Sequence, residues 1–355
     1  MVLCDETRVS KPDMNGNAET SAMTALGQIR ADPNSRGQLV DRSDGMGIDV
    51  QELLRCPSCS GRLNKSADGY LCVQCGTAYP TRRGVARFVP AENYADSFGF
   101  QWQRYARTQL DNEDCQVSER DFVRKTGLTR EQLQGKLVLD VGCGMGRFAE
   151  VATRWGARVV GIDLSTAAEV AARNLGDREF VALQADVFAL PFAPRSFDLI
   201  YSIGVLHHTP NCEKSVKVLP QYLKPGGVLA VWLYSGYNRW YRFSDLYRKV
   251  TTRISPRTLH AILAVTVPVI NTLDSGIRAI PFIGHPISGV VRHLLPVNRN
   301  KQPSWRVLDT FDWYSPKYQS KHTYEQVFRW FEDCGMEHLH VGEVPISVRG
   351  RAPLE

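Results

Sequence analysis

Residues 136–148, KLVLDVGCGMGRF, constrain the fold more than any other stretch of the chain. Leu137, Val138, Leu139 and Val141 make an apolar run of strand length, which breaks into Gly142, Gly144 and Gly146 before a helical pattern opens at Phe148. A strand, a glycine turn and a helix follow one another. Glycine lets the backbone turn sharply and lets a ligand approach the main chain, while the next helix offers free N–H groups. Such a turn suits a nucleotide-like ligand. A dinucleotide fingerprint counted from Gly142 needs glycine at 147, where the chain has Arg147, and this argues against a nicotinamide cofactor.

A second apolar run, Val159 to Ile162, ends on Asp163, placed to accept hydrogen bonds from both hydroxyls of a ribose. Asp186 follows a third run, one strand further along the same edge, where its oxygens can accept from an adenine amino group. FDLIYSIGVLHHT over 197–209 supplies a fourth strand, and Pro225-Gly226-Gly227 opens a fifth, VLAVWLY. In this order the chain resembles the class I S-adenosylmethionine-dependent methyltransferases, closely over 136–235 and loosely over 309–350. The resemblance implies an α/β fold, a Rossmann-like, mostly parallel sheet with an antiparallel final strand. It also implies S-adenosylmethionine contacts at Asp140, Gly142, Gly144, Gly146, Asp163 and Asp186.

The 355 residues, 43% hydrophobic, suffice for one large or two modest domains. Residues 1–47 are polar and without apolar periodicity, which reads as a disordered tail carrying an unpaired Cys4. No basic start with an apolar run marks a secretory signal, so a reducing, cytoplasmic setting is expected, in which nine cysteines mean metal ligands or free thiols.

Within 51–90, Cys56-x-x-Cys59 and Cys72-x-x-Cys75 form two knuckles that together complete a tetrahedral shell, the pattern of a compact structural zinc ribbon. Four cysteines leave no open position for a catalytic water. A redox dithiol is the competing reading. Six basic and two acidic side chains in this stretch, less two charges for four thiolates on one Zn²⁺, leave about plus two, mild for gripping phosphates. The ribbon resembles those of guanine-N1 ribosomal RNA methyltransferases and of a small activator of tRNA and protein methyltransferases. It equally suits a stapled module packed on the catalytic domain.

Residues 91–135 form an aromatic-rich linker and helical cap. Its segment YADSFGFQWQRYARTQLD resembles one preceding the catalytic domain in bacterial zinc-ribbon methyltransferases of specialised-metabolite and surface-glycan pathways, which implies that Gln101 and Trp102 close over cofactor or substrate. The same aromatics suit the packed face of a helix. His207 and His208 end the fourth strand, where an open α/β sheet presents its ligand cleft; either can serve as general base, and either can simply line the cofactor. Cys143 and Cys212 read as packing residues.

The methyltransferase core over 136–235 pauses for a helical lid over 236–308 and resumes over 309–355. The lid has eleven basic residues against Asp245 and Asp274, a formal plus nine. Trp240, Phe243, Tyr247 and Val250 recur at helical spacing, and Pro268, Pro281 and Pro286 are expected to cut the later apolar stretches below the ~20 residues a membrane span needs. This lid suits an anionic or amphipathic acceptor, peripheral membrane contact or RNA, and also an ordinary solvated face. FDWYSPKYQSKHTY reads as a loop offering Asp312, Trp313, Tyr314 and His322. Thr323-x-x-Gln326 is a capping box, Gly335 a helix stop, and 337–350 two closing strands. Methyl transfer to a small molecule is the leading expectation. An rRNA or tRNA acceptor, recognised by ribbon and lid, and a non-catalytic cofactor-binding adaptor are the alternatives.

Overall fold

A computed structural model describes residues 48–90, 93–112, 116–237 and 242–355. The expected tail with Cys4 lies outside the described residues, as do Trp240 and the side chain of Phe243. After a one-turn helix α1 (Val50–Leu53), capped by Asp49, strands β1 (Leu63–Ser66), β2 (Gly69–Cys72), β3 (Ala78–Arg82) and β4 (Val85–Arg87) form an antiparallel meander. Helices α2 (Asp96–Arg104), α3 (Val117–Thr126) and α4 (Arg130–Leu133) lead into the core. There the chain alternates β5 (Leu137–Val141), α5 (Arg147–Arg154), β6 (Arg158–Asp163), α6 (Ala167–Asn174), β7 (Phe180–Gln184), β8 (Phe197–Ile203), α7 (Cys212–Lys217) and β9 (Leu223–Trp232).

One sheet holds eleven strands in the order β1-β2-β3-β4-β7-β6-β5-β8-β9-β11-β10. Pairing from β4 to β9 is parallel; β11 (Ser347–Arg351) then runs antiparallel to both β9 and β10 (Glu337–Val341). The sheet is Rossmann-like with antiparallel final strands. The meander is not a detached module: Ala86 pairs with Leu183 and Arg87 with Gln184. Glu169 of α6, buried, receives Arg83 at 3.0 Å and also Arg87, tying the meander to a helix of the core.

Alternation along the strands builds two apolar layers. Leu139, Ile200, Leu229 and Val231 face one layer, with Phe331 of α12 (Tyr324–Asp333) against them; Val138, Leu199, Tyr201 and Ala230 face the other, against Phe122 of α3. Helix α12 begins at the expected capping box of Thr323 and Gln326.

The segment after β9 folds as α8 (Arg242–Thr251), α9 (Pro256–Arg278), α10 (Gly284–Leu294) and α11 (Pro303–Tyr314) around Leu259, Leu263, Val267 and Phe311. Two expectations are corrected here. Pro268 does not cut α9, which runs on for 23 residues and is long and apolar enough, by length and composition, to cross a membrane. Both Pro268 and Ala264 are exposed, so the carbonyl that loses its intrahelical donor is on the outside of the helix, where breaking one bond costs least. Phe311 to Tyr314 are not loop but the last turn of α11, which passes straight through the expected boundary at 308.

Candidate active site

Gly142 and Gly144 have φ of +81° and +54°, a region costly for other residues. A Cβ on Gly142 would stand 2.4 Å from the Val205 methyls, and one on Gly144 would stand 3.1 Å from the Trp102 indole nitrogen. The turn is therefore glycine both for its conformation and for what lies over it. The Gly144 amide donates to Asp163 Oδ2 at 3.0 Å, while Asp163 Oδ1 accepts from the Ser165 amide and hydroxyl at 2.8 and 2.7 Å. Burial raises the Asp163 pKa, and these three bonds work against that rise.

A cavity of about 330 Å³ opens at the C-terminal ends of β5, β6 and β8, beside the point where the chain switches from building one half of the sheet to the other. Gly142, Gly144, Asp163, Asp186, Gln101, Trp102 and His208 all line it. Asp140, Gly146 and His207, also expected at the cofactor, stand behind this lining. Asp140 stands on the face where Tyr201 donates to it at 3.0 Å; burial pushes its carboxyl up to about 8, with the Tyr201 bond opposing. Gly146 backs onto Leu175, 2.9 Å from where its Cβ would be. His207 is wholly buried and stacked on Tyr234 with ring centroids 3.8 Å apart, and neither ring nitrogen has a partner.

His208 differs by one residue and by everything that matters chemically. Its Nδ1 lies 3.0 Å from the Tyr318 carbonyl, which can only accept, so Nδ1 carries the proton and Nε2 keeps its lone pair. Nε2 is buried without a partner, and so is Oε1 of Gln101, another cavity-lining side chain. Both residues line the cavity, and these two acceptors leave hydrogen-bonding capacity that no described residue uses. Burial lowers the His208 pKa, with Asp312 acting to raise it.

The far wall comes from α11, where Asp312 and Trp313 were expected and Trp305 and Asp309 were not. Trp305, Asp309, Asp312 and Trp313 all line the cavity from α11, at offsets of four, seven and eight that put them on one helical face. That spacing is legible once the segment is known to be helix. Asp312 accepts from Tyr234 at 3.2 Å and from Gln101 at 3.4 Å. Asp309 accepts from Gln109, Asn298 and Trp305 at 3.2, 2.9 and 3.1 Å; burial, helped by Asp312, pushes its carboxyl up to about 7. Lys125 and Arg147 complete the wall, both bound to Asp121, at 3.3 and 3.0 Å. Burial pushes Lys125 down to about 8 despite Asp121 beside it. Tyr314 and His322, expected at the site, turn elsewhere: Tyr314 donates to the Pro296 carbonyl at 2.7 Å and His322 pairs with the Ser320 hydroxyl at 2.7 Å.

Away from the cavity, the sulfurs of Cys56, Cys59, Cys72 and Cys75 lie within 4.8 Å of one another, with Cys56–Cys75 at 3.6 Å and Cys59–Cys72 at 3.4 Å. Thiolates about 2.3 Å from a tetrahedral cation stand about 3.8 Å apart, so the four donors fit one ion and are too far apart for disulfides. No described residue before Tyr94 lines the cavity.

The sheet order and the glycine-turn cavity define the fold of class I S-adenosylmethionine-dependent methyltransferases. Residues 139–231 match the family described as a methyltransferase domain, and the chain carries such a domain there. Over 100 residues it is 39% identical to the ubiquinone biosynthesis O-methyltransferase of Paracidovorax citrulli, covering 27% of this chain and 42% of that protein. Over 122 residues it is 34% identical to the probable tRNA methyltransferase 9B of Homo sapiens, covering 33% and 26%. A solved S-adenosylmethionine-dependent methyltransferase from Mesorhizobium loti overlaps 72% of this chain and 99% of its own at 18% identity and a TM-score of 0.36. The chain spans less than half the length of the curated relatives it matches.

Proposed function

We propose that the protein methylates a small-molecule acceptor, with Gly142, Gly144, Asp163 and Asp186 holding S-adenosylmethionine, Gln101 and Trp102 closing over it, and His208 taking the acceptor's proton. The observation that carries this reading is the positive-φ glycine turn and the carboxyl groups of Asp163 and Asp186 lining one cavity with Gln101, Trp102 and His208. Bound S-adenosylmethionine supplies an activated methyl group whose leaving group is a neutral thioether. The remaining work falls to the chain. The indoles of Trp102, Trp305 and Trp313 exclude water, and Tyr234 and Asp312 fix the acceptor's orientation. Nε2 of His208 receives a proton when the acceptor enters as an alcohol or amine, and the Tyr318 carbonyl holds the tautomer that makes this feasible.

The acceptor wall favours a small molecule over RNA. Carboxylates of Asp121, Asp309 and Asp312 stand in it against only two cations, a poor setting for a phosphate chain. The relative that acts in ubiquinone biosynthesis supports an O-methyl acceptor. The four cysteines would hold a structural Zn²⁺.

Methyl-labelled S-adenosylmethionine and a fractionated extract test the reading. Label is expected in the small-molecule fraction, with an acid limb of kcat below the usual histidine range of about 6.5 because burial depresses His208. His208→Asn should lower kcat by roughly 10²–10⁴. Label confined to RNA, lost steeply with salt, overturns the small-molecule acceptor, and absence of cofactor binding by calorimetry overturns the whole reading.

A further inference from the structure

Helices α9 and α10 form a hairpin built inside out. Its polar groups lie in the seam: Asp274, buried, receives Ser288 at 2.6 Å, Arg292 at 3.1 Å and Arg299 at 3.1 Å, and Asn271 is buried beside them. Its outer surface is apolar. Along α9, Ile262, Val265, Val269 and Leu273 recur at steps of three and four and are all exposed. Ile283, Ile287, Val290 and Leu294 repeat the pattern over α10. Only 28% of the most apolar eighteen-residue stretch of α9 is buried, whereas a core helix of this composition would be mostly covered.

The tip sharpens the pattern. Phe282, between the helices, is 100% exposed with φ +64°, a strained conformation for an aromatic residue that holds the ring in the open. Two exposed hydroxyls along α9 are satisfied within the helix: Thr266 donates to the Ile262 carbonyl at 2.9 Å and Thr272 to the Pro268 carbonyl at 3.0 Å.

We infer that this hairpin docks the protein on an anionic lipid bilayer, lying in the interfacial layer with Phe282 immersed and the basic side chains of the insertion against the headgroups. Charge decides between occupants. Residues 236–308 carry a formal plus nine, so a second copy would bring like charge against like, whereas an anionic surface is attracted. Lys249, Arg253 and Arg257, all exposed just before or at the start of α9, add positive charge at the base of the hairpin. Length decides between lying and spanning: α10 has 11 residues, about 16 Å, against about 30 Å of hydrocarbon, so the hairpin cannot cross and return. This docking does not depend on the methyl-transfer reading.

Flotation of the full chain with phosphatidylcholine vesicles, with and without a quarter phosphatidylglycerol, tests it. Binding is expected only with the anionic vesicles and should weaken as salt is added. Phe282→Glu and the double variant Val265→Glu/Val269→Glu should each reduce partitioning about tenfold or more, by placing charge where apolar area inserts. Cofactor affinity measured on the same variants should stay unchanged, which establishes that they fold. Failure of the wild type to float with anionic vesicles overturns the inference, as does flotation of folded variants equal to wild type. Sedimentation of the wild type as a dimer that these variants dissolve also overturns it, in favour of a second copy on this face.

Discussion

The two additions to the core are attached by different physics. The cysteine-bearing meander joins by a backbone ladder: β4 extends the sheet beyond β7, Glu169 clamps it with two arginines, and Leu63, Tyr79 and Phe88 continue the core's own apolar layer. The helical insertion joins by side chains, packing Phe311, Leu259 and Val267 into a separate small core and fastening α8 through Arg248, which donates to Gln319 and to the Pro316 carbonyl at 2.7 Å each. The first touches no part of the cavity, whereas the second builds its far wall. A part held by a hydrogen-bonded ladder is fixed in register and suited to scaffolding; a part held by packed side chains can shape a pocket and present a new surface.

Removing the Zn²⁺ proposed for the four cysteines is the largest way to probe that contrast. Cys72→Ser or a strong chelator should unfold the meander, forfeiting on the order of 10 kcal/mol of metal-coupled folding energy, while cofactor affinity by calorimetry stays near wild type. A cofactor affinity that fell with the metal would break the division of labour. Next, Phe311→Ala should cost about 3–5 kcal/mol, visible in thermal unfolding, because the ring is fully buried in the small core. It should raise KM for the acceptor while leaving cofactor binding largely intact, since Asp163 and the glycine turn belong to the sheet. Asp163→Ala is the reciprocal change. It removes a buried acceptor that holds the turn and should weaken cofactor binding by roughly ten- to a hundredfold, with no loss of metal.

A further test concerns the sheet that both additions share. Asp140, held near 8 against an ordinary carboxyl value near 4, binds its proton more tightly in the folded state. That stabilisation is complete at low pH and fades as pH rises from about 4 through 8, by at most about 1.4 kcal/mol per unit. Asp140→Asn should flatten the slope of melting temperature against pH between 5 and 8.

The sequence made the central order from β5 to β9 legible, because long apolar runs ending on Gly142, Asp163 and Asp186 carry their own punctuation. It also made the four-cysteine cluster and the capping box of α12 legible, since spacing alone encodes both. Three things were hidden, each for a physical reason. Strand β4 is three residues long, and its partner Leu183 is remote in sequence, so no local pattern announces the pairing. Which of two neighbouring residues faces a cavity depends on one step of backbone rotation, which is how His207 and His208 came to differ so completely. Asp309 and Trp305 carry chemistry only because α11 packs beside the sheet, a tertiary fact that propensity does not contain.

The pairing of Ala86 with Leu183 has a consequence for biosynthesis. A ribosome releases the cysteine knuckles long before the strand that will receive them exists, so the meander can dock only once β7 has been made. The edge of β7 in turn is left bare until the earlier piece swings back to cover it. A chain truncated just after Pro90 would give the cysteine-bearing piece alone, and one begun there would expose a parallel edge open to stray pairing and aggregation.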